Sequence, residues 1–454
     1  MSTPMLESAA SLETADESFS AEDRARALDR LQVARARTEG RRLRLLWLLA
    51  GPGLLVMLGE NDGPSMVSYA TTGASYGIGF FAPFIVLTFA IAYVVQEMTV
   101  RVGAATHRGH AELIFQRFGP FWGYLAMADL AFGNVLTLVT EFIAIQAAGL
   151  YFGLPSWVSI SFAAALVTAM LATRRYATWE RTLMILAAGN LLFIPAALFA
   201  HPNAAALVRS LATWSPAPRF DHGFLILILA NIGATVTPWM IFFQQSAVAD
   251  KGLTRADLRQ GRIDTALGAF VAAAAALATL VACATLFDHH VDVSRFANGA
   301  DFATALRPYL GGAGATLFAL GMAEAGLVAA MTISTSSSYA LAETLSAGHS
   351  MNLDFSSGRL FYGAAIGSTA VAAGIVLIPH APLLAMTITV NVIATLLMAP
   401  ALMLLLLLAN DREIMGDLAN GPVANLAGGV IIVAVSLVGA FYGLVTIFPN
   451  ILGR

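Results

Sequence analysis

Cysteine is almost missing from this chain: its 454 residues include one, Cys283, in an Ala-rich apolar run. One cysteine cannot close an intramolecular disulfide, and a cysteine-based metal cage or dithiol redox centre is excluded. Charge is scarce too. Asp, Glu, Lys and Arg make up 12% of residues, against about a quarter in soluble domains. Histidine is absent from the middle of every apolar run: His107, His110, His201, His222, His289, His290, His349 and His380 all sit in or near predicted loops. Also lacking are a nucleotide-binding loop, His/Cys spacing for a metal and a nucleophile–base constellation, so an enzyme is not expected. No soluble domain is present to carry a signal. What remains is apolar: 58% of residues are hydrophobic and the mean hydropathy is +0.73. The expected class is an all-α polytopic membrane protein.

About 20 apolar residues cross a bilayer core. Eleven stretches qualify, at roughly 45–71, 79–100, 120–150, 156–173, 182–200, 223–248, 264–287, 309–345, 360–379, 383–409 and 425–448. Residues 1–44 read as a cytoplasmic tail, with 21–44 either a charged surface helix or disordered. Its charges precede a full-length span, so no signal peptide is expected. With eleven spans, 20 of the 25 basic residues fall in the tail and even-numbered loops, which places the N-terminus in the cytoplasm and the C-terminus outside.

Two spans contain features that a plain membrane helix avoids. In the first, Gly51-Pro-Gly-Leu-Leu-Val-Met-Leu-Gly-Glu-Asn-Asp-Gly-Pro-Ser65, Asp62 stands directly before Gly63-Pro64. A mid-span carboxylate is costly, and Gly-Pro unwinds a helix. In the sixth, Gly233 and Pro238 bracket a polar-leaning stretch, Ala234 to Thr237. Pro238 lacks an N–H, which frees carbonyls on the preceding turn as hard oxygen ligands. Paired breaks in corresponding positions mark an inverted-repeat transporter with its site near the midplane. The predicted repeats are 45–200 and 223–409, with 425–448 an added eleventh helix.

Several stretches resemble the Nramp family of divalent metal transporters. They are Gly51-Pro-Gly53, Asp62-Gly-Pro-Ser65, Gln96-Glu-Met-Thr-Val-Arg-Val-Gly103, Gly233-Ala-Thr-Val-Thr-Pro238 and Asn410-Asp-Arg-Glu-Ile-Met-Gly-Asp-Leu-Ala-Asn420. The resemblance runs from about residue 45 onward and implies a LeuT-type fold with helices 1 and 6 broken. Two departures carry information. The family's Asp-Pro-Gly-Asn is Asp62-Gly63-Pro64-Ser65 here, and its Met-Pro-His-Asn is Thr237-Pro238-Trp239-Met240. Thus Thr237 replaces a soft thioether and Trp239 a histidine associated with proton handling. Hard cations prefer carboxylate, carbonyl, hydroxyl and water, and Mg²⁺ usually keeps several waters. The implied ligands are therefore Asp62, Ser65, Thr237 and the Ala234 carbonyl, a pattern similar to the Nramp-related magnesium transporter branch.

Secondary and ion-pathway candidates follow. Glu60 is read as adding negative charge to an ion vestibule. Glu141 stands where the family keeps an acidic proton route, although the partner acid three residues earlier is Leu138 here. Glu141 and Glu324 are each either functional or a hydrogen-bonded interhelical contact, and Asp129 lies nearer the start of span three. Asn391 in span ten is either a polar contribution to the ion or an interhelical hydrogen bond. Met240 and Met66 are either thioethers in reach of the site or packing residues. Glu97 and Arg101, at i and i+4, read as a structural ion pair.

The expected function is secondary transport of divalent cations, favouring Mg²⁺ with Mn²⁺ a second substrate, weakly or not at all proton-coupled. The partners are the plasma-membrane bilayer and the ion itself, with no permanent cofactor and no nucleic acid. Two alternatives stand: a proton-coupled Mn²⁺/Fe²⁺ symporter, and a Na⁺-coupled amino-acid symporter of the same fold.

Overall fold

The computed structural model describes residues 51–216, 218–378 and 382–447, with isolated positions between 31 and 48. Most of the predicted tail and its charged helix, together with His380 and Arg454, lie outside the described residues.

The first apolar stretch is two helices, α1 (Pro52–Glu60) and α2 (Gly63–Tyr76). There follow α3 (Phe81–Thr106), a short amphipathic α4 (His110–Phe118), the long α5 (Pro120–Tyr151) and α6 (Ser156–Leu171). Next come α7 (Tyr176–Ala187), which continues through a 3₁₀ turn into α8 (Phe193–Leu198), and α9 (Ala204–Thr213). The second broken stretch is α10 (His222–Gly233) and α11 (Pro238–Lys251). After it come α12 (Leu258–Asp288), α13 (Gly299–Thr344), α14 (Arg359–Val376), α15 (Leu383–Asn410), one turn of α16 (Arg412–Met415) and α17 (Pro422–Ile447).

Among the described residues, nine stretches are long and apolar enough to cross a membrane. They match predicted spans two, three and five to eleven. The other two predicted spans are the broken α1–α2 pair and the 16-residue α6. Large apolar side chains such as Phe132, Phe162, Phe270 and Leu437 are exposed on the outer helices, as lipid contact requires. Boundaries moved in places. The first span ends at Tyr76, and the helix of span eight starts at Gly299, bending at Gly311 where φ is 69°.

The two broken stretches lie at the centre, with α10–α11 buried along most of its length and α17 on the periphery. Their ends are fastened. At the start of α1, the Asp264 carboxylate of α12 accepts from the N–H groups of Gly51 (3.1 Å), Gly53 (2.8 Å) and Leu54 (3.2 Å). These are orphan donors of a helix N-terminus, where negative charge is favoured. Beside them, Lys251 at the end of α11 pairs with Glu180 of α7 at 2.7 Å. At the opposite end, the Tyr76 hydroxyl donates to Asp221, which caps α10 at Phe224 N (2.8 Å) and pairs with Arg219 at 2.9 Å. Phe224 packs edge-on against Tyr76 and Phe80, and Phe80 against Phe81, over this end.

Glu97 and Arg101 form the predicted ion pair at 3.0 Å. The same guanidinium donates to Leu418 O and Asn420 Oδ1, tying α3 to the segment before α17.

Candidate functional site

Each break has a local cause. Asn61 (φ −72°, ψ 55°) and Asp62 (φ −82°, ψ 177°) leave helical geometry, and α2 restarts with Pro64 in its first turn, where a missing N–H costs nothing. Asp62 caps the new helix, its Oδ1 accepting from Ser65 N at 2.8 Å. At the second break, α10 stops at Gly233, Thr237 is extended (φ −125°, ψ 154°) and Pro238 opens α11. Helical bonding in α10 runs on to Ile232 O, which accepts from Val236 N at 3.1 Å, and the carbonyls beyond it have no following turn to bond.

The two breaks face each other. Glu60 Oε2 accepts the hydroxyl of Thr237 at 2.8 Å, joining the end of α1 to the start of α11. Glu141 Oε2 on α5 accepts from Gly63 N at 2.9 Å, and the Tyr69 hydroxyl donates to Ala234 O at 2.7 Å. Glu60, Asp62, Glu141, Thr237 and Trp239 are all at most 2% exposed. Buried carboxylates at this density repel one another, and each is costly to bury without a cation or hydrogen bonds. Around the breaks Trp239 faces Glu60, and Ser65 and Glu141 face Asp62, while the buried Asn61 Oδ1 has no hydrogen-bond partner within the protein.

Gly63 accounts for the exchanged Gly-Pro order. A Cβ there would stand 2.2 Å from Ala144 Cβ, and a proline would lack the N–H that Glu141 accepts. The inverted dipeptide and the acid on α5 thus form one unit.

Of the predicted ligands, Asp62 and Ser65 are joined at the first break, and Ala234 and Thr237 stand at the second, tied to the first through other residues. The Ala234 carbonyl is engaged by Tyr69, and the Thr237 hydroxyl by Glu60. Glu60, read from sequence as a vestibule charge, is instead fully buried at the break itself. The reason is its position as the last residue of α1, on the face turned to α11.

Met66 packs with its sulfur accepting from Thr279 at 3.3 Å, and Met240 is buried in the first turn of α11. Asn391 donates to Ser68 Oγ at 3.0 Å, an interhelical tie between α15 and α2. Glu324 accepts from Asn190 Nδ2 at 3.1 Å, an interhelical contact with the 3₁₀ turn after α7. Asp129, half-buried, lies twelve residues before Glu141 on α5, roughly 18 Å along the helix. Near a loop as predicted, His110 is nonetheless fully buried, 2.8 Å from Gln245 Oε1, and burial pushes it down to about 4.

Sequence reasoning missed Tyr69, Asn61 and Asp264. Tyr69 had a usable signal, since it follows Asp62 by two helical turns and shares its face. Asn61, whose Nδ2 donates to Ala272 O at 2.8 Å, had none. Among the described residues, no three His, Cys, Asp or Glu side chains converge as a metal cage. The donors here are mixed carboxylate, hydroxyl and carbonyl oxygens.

A bundle of apolar helices with two facing mid-span breaks, lined by buried acids, defines a polytopic membrane transporter of the LeuT-type fold. The solved structures agree on the fold. A manganese transporter of Eremococcus coleocola superposes with a TM-score of 0.71 at 17% identity, covering 88% of this chain and 86% of that one. MhsT in complex with L-phenylalanine follows at 0.55 and 13%, covering 87% and 97%. Residues 53–446 match the family described as Nramp, natural resistance-associated macrophage protein-like, and the chain belongs to that family. Its curated relatives include the divalent metal cation transporter MntH of Pectobacterium carotovorum, 25% identical over 85% of this chain and 92% of that one. The protein of the same name from Yersinia enterocolitica is 26% identical over 87% and 94%.

Proposed function

We propose that this chain moves divalent metal cations across a bacterial plasma membrane by alternating access, holding the ion between the two helix breaks. The observation that carries the reading is Asp62, a buried carboxylate capping α2 at one break, two residues from Glu60, which holds Thr237 of the other. The names of its relatives, divalent metal cation transporter and manganese transporter, point the same way. The division into repeats 45–200 and 223–409, eleven crossings and a cytoplasmic N-terminus belong to this reading. It puts the Asp264 end of α1 in the cytoplasm.

Donor chemistry favours Mg²⁺, with Mn²⁺ as a second substrate. Thr237 offers a hydroxyl where the family resemblance implies a thioether, and the Met66 sulfur is already engaged by Thr279. Oxygen-only sites suit hard ions. With Trp239 in place of a histidine and Leu138 in place of an acid, proton coupling is weak or absent. The membrane potential alone supplies roughly 4.6 kcal/mol for a divalent ion at 100 mV.

The test is uptake of Mg²⁺, Mn²⁺ and Ca²⁺ into liposomes holding the purified protein and an internal pH dye. Mg²⁺ and Mn²⁺ uptake without acidification, abolished by Asp62→Ala, is expected. Full uptake in Asp62→Ala overturns the site. Metal-driven acidification instead favours a proton-coupled Mn²⁺/Fe²⁺ symporter. A Na⁺-coupled amino-acid symporter fits poorly, because the acids at the breaks repel a substrate carboxylate.

A further inference from the structure

Three residues at the first break point in two directions. Asn61 is pulled away toward α12 by its bond to Ala272 O, while Glu60 on one side of it reaches Thr237 on the opposite break. Asp62, on the other side, is extended and caps α2. Asn61 (φ −72°, ψ 55°) turns the chain between them, and with its side chain anchored on α12 the neighbouring Glu60 and Asp62 carboxylates stay near enough to repel each other. The end of α1 is close to the second break: a Cβ at Gly59 would stand 3.4 Å from the Trp239 ring. Glu60 is fully buried, its Oε2 is held by the Thr237 hydroxyl, and the Trp239 indole lies against the same carboxylate.

We infer that Glu60 is a second carboxylate ligand of the transported ion, held toward it by the Thr237 hydroxyl, so that the site carries two negative charges. The inference rests on the divalent-cation reading above and deepens it. A divalent ion between two carboxylates is neutralised in a medium where uncompensated charge is expensive, whereas a monovalent ion leaves one negative charge uncompensated. By donating its proton to Glu60, Thr237 keeps oxygen lone pairs for the ion. The Thr237 side chain is thus both a positioning group for Glu60 and a neutral donor. Glu141 holds Gly63 N with Oε2 and lies against Asp62, so it positions the first carboxylate ligand.

The experiment compares wild type, Glu60→Gln, Thr237→Val and Asp62→Ala in liposome uptake of Mn²⁺ and Mg²⁺. Mn²⁺ calorimetry reports binding, and thermal unfolding in detergent serves as the control for folding. Glu60→Gln keeps an oxygen for Thr237 but removes the charge. It is expected to raise KM for both ions at least tenfold, with maximal rate within about threefold and an unchanged melting temperature. Thr237→Val, which frees Glu60 without discharging it, is expected to raise KM by a smaller factor. Wild-type KM in Glu60→Gln, alongside lost uptake in Asp62→Ala, overturns the second ligand and leaves the transport reading intact. If Glu60→Gln does not fold, Thr237→Val decides, and a wild-type KM there overturns the inference. A wild type that neither binds Mn²⁺ nor moves it overturns both.

Discussion

Removing the Asp264 carboxylate should unlatch the half-helix α1. Three backbone N–H groups at its start, those of Gly51, Gly53 and Leu54, donate to that one side chain on α12. Hydrogen bonds to a charged acceptor contribute about 1.5–3 kcal/mol each. Three sharing one carboxylate are not additive, so about 3 kcal/mol is a fair figure for the latch. If α1 must leave α12 to open the site to the cytoplasm, Asp264→Ala favours the open state by that amount, roughly 150-fold. Leu54, half-buried in the first turn, is the reporter position. With Leu54→Cys, labelling by a membrane-impermeant thiol reagent from the cytoplasmic side reads opening directly, and the native Cys283 is buried and silent. Labelling 30- to 300-fold faster in the Asp264→Ala background is the expected result. An unchanged rate in a protein that melts normally would show that the cap is static and refute the latch.

Three further perturbations follow from contacts described above. Gly63→Ala places a Cβ 2.2 Å from Ala144 Cβ; overpacking of this kind costs about 1–3 kcal/mol, read as a lower melting temperature and restored by adding Ala144→Gly. Lys251→Met strands the buried Glu180 carboxylate and should cost about 3–5 kcal/mol, while Glu180→Gln with Lys251→Met recovers most of the loss in thermal unfolding. His110 is held neutral by burial, its folded value of about 4 lying below the usual 6.5. The unfolded chain therefore binds the extra proton, and stability present above pH 6.5 is lost as pH falls toward 4, by up to about 3 kcal/mol. His110→Asn should flatten the fall in melting temperature between pH 7 and 5; an equally steep fall would place the pH response elsewhere.

Both helix breaks were legible because their causes are local. Pro64 and Pro238 cannot continue a helix, and Asp62 is a good cap, so positions 61–62 and 234–237 could be read one residue at a time. The apolar runs likewise gave the order of the helices. The pairing of side chains across the breaks was hidden. Nothing in the spacing of Glu60 and Thr237 foretells that they meet, since 177 residues separate them and their contact is set by how α1 packs on α11. Glu141 was visible as an anomalous charge, yet its partner, the backbone N–H of Gly63, carries no sequence mark. Asp264 was passed over because an acid near the start of an apolar run reads as an ordinary loop charge. His110 sits beside a loop, as predicted, but position in sequence does not report burial beneath Phe242 and Gln245.

The central claim, a hard oxygen site at the helix breaks, is tested most directly by competition. Initial Mn²⁺ uptake into liposomes is measured against rising external Mg²⁺, at fixed membrane potential and ionic strength. An oxygen-only site predicts that Mg²⁺ in modest excess suppresses Mn²⁺ uptake competitively, raising KM for Mn²⁺ without changing the maximal rate. Mn²⁺ uptake indifferent to a roughly hundredfold excess of Mg²⁺ would contradict it, because a softer donor than any assigned here would have to be choosing the ion.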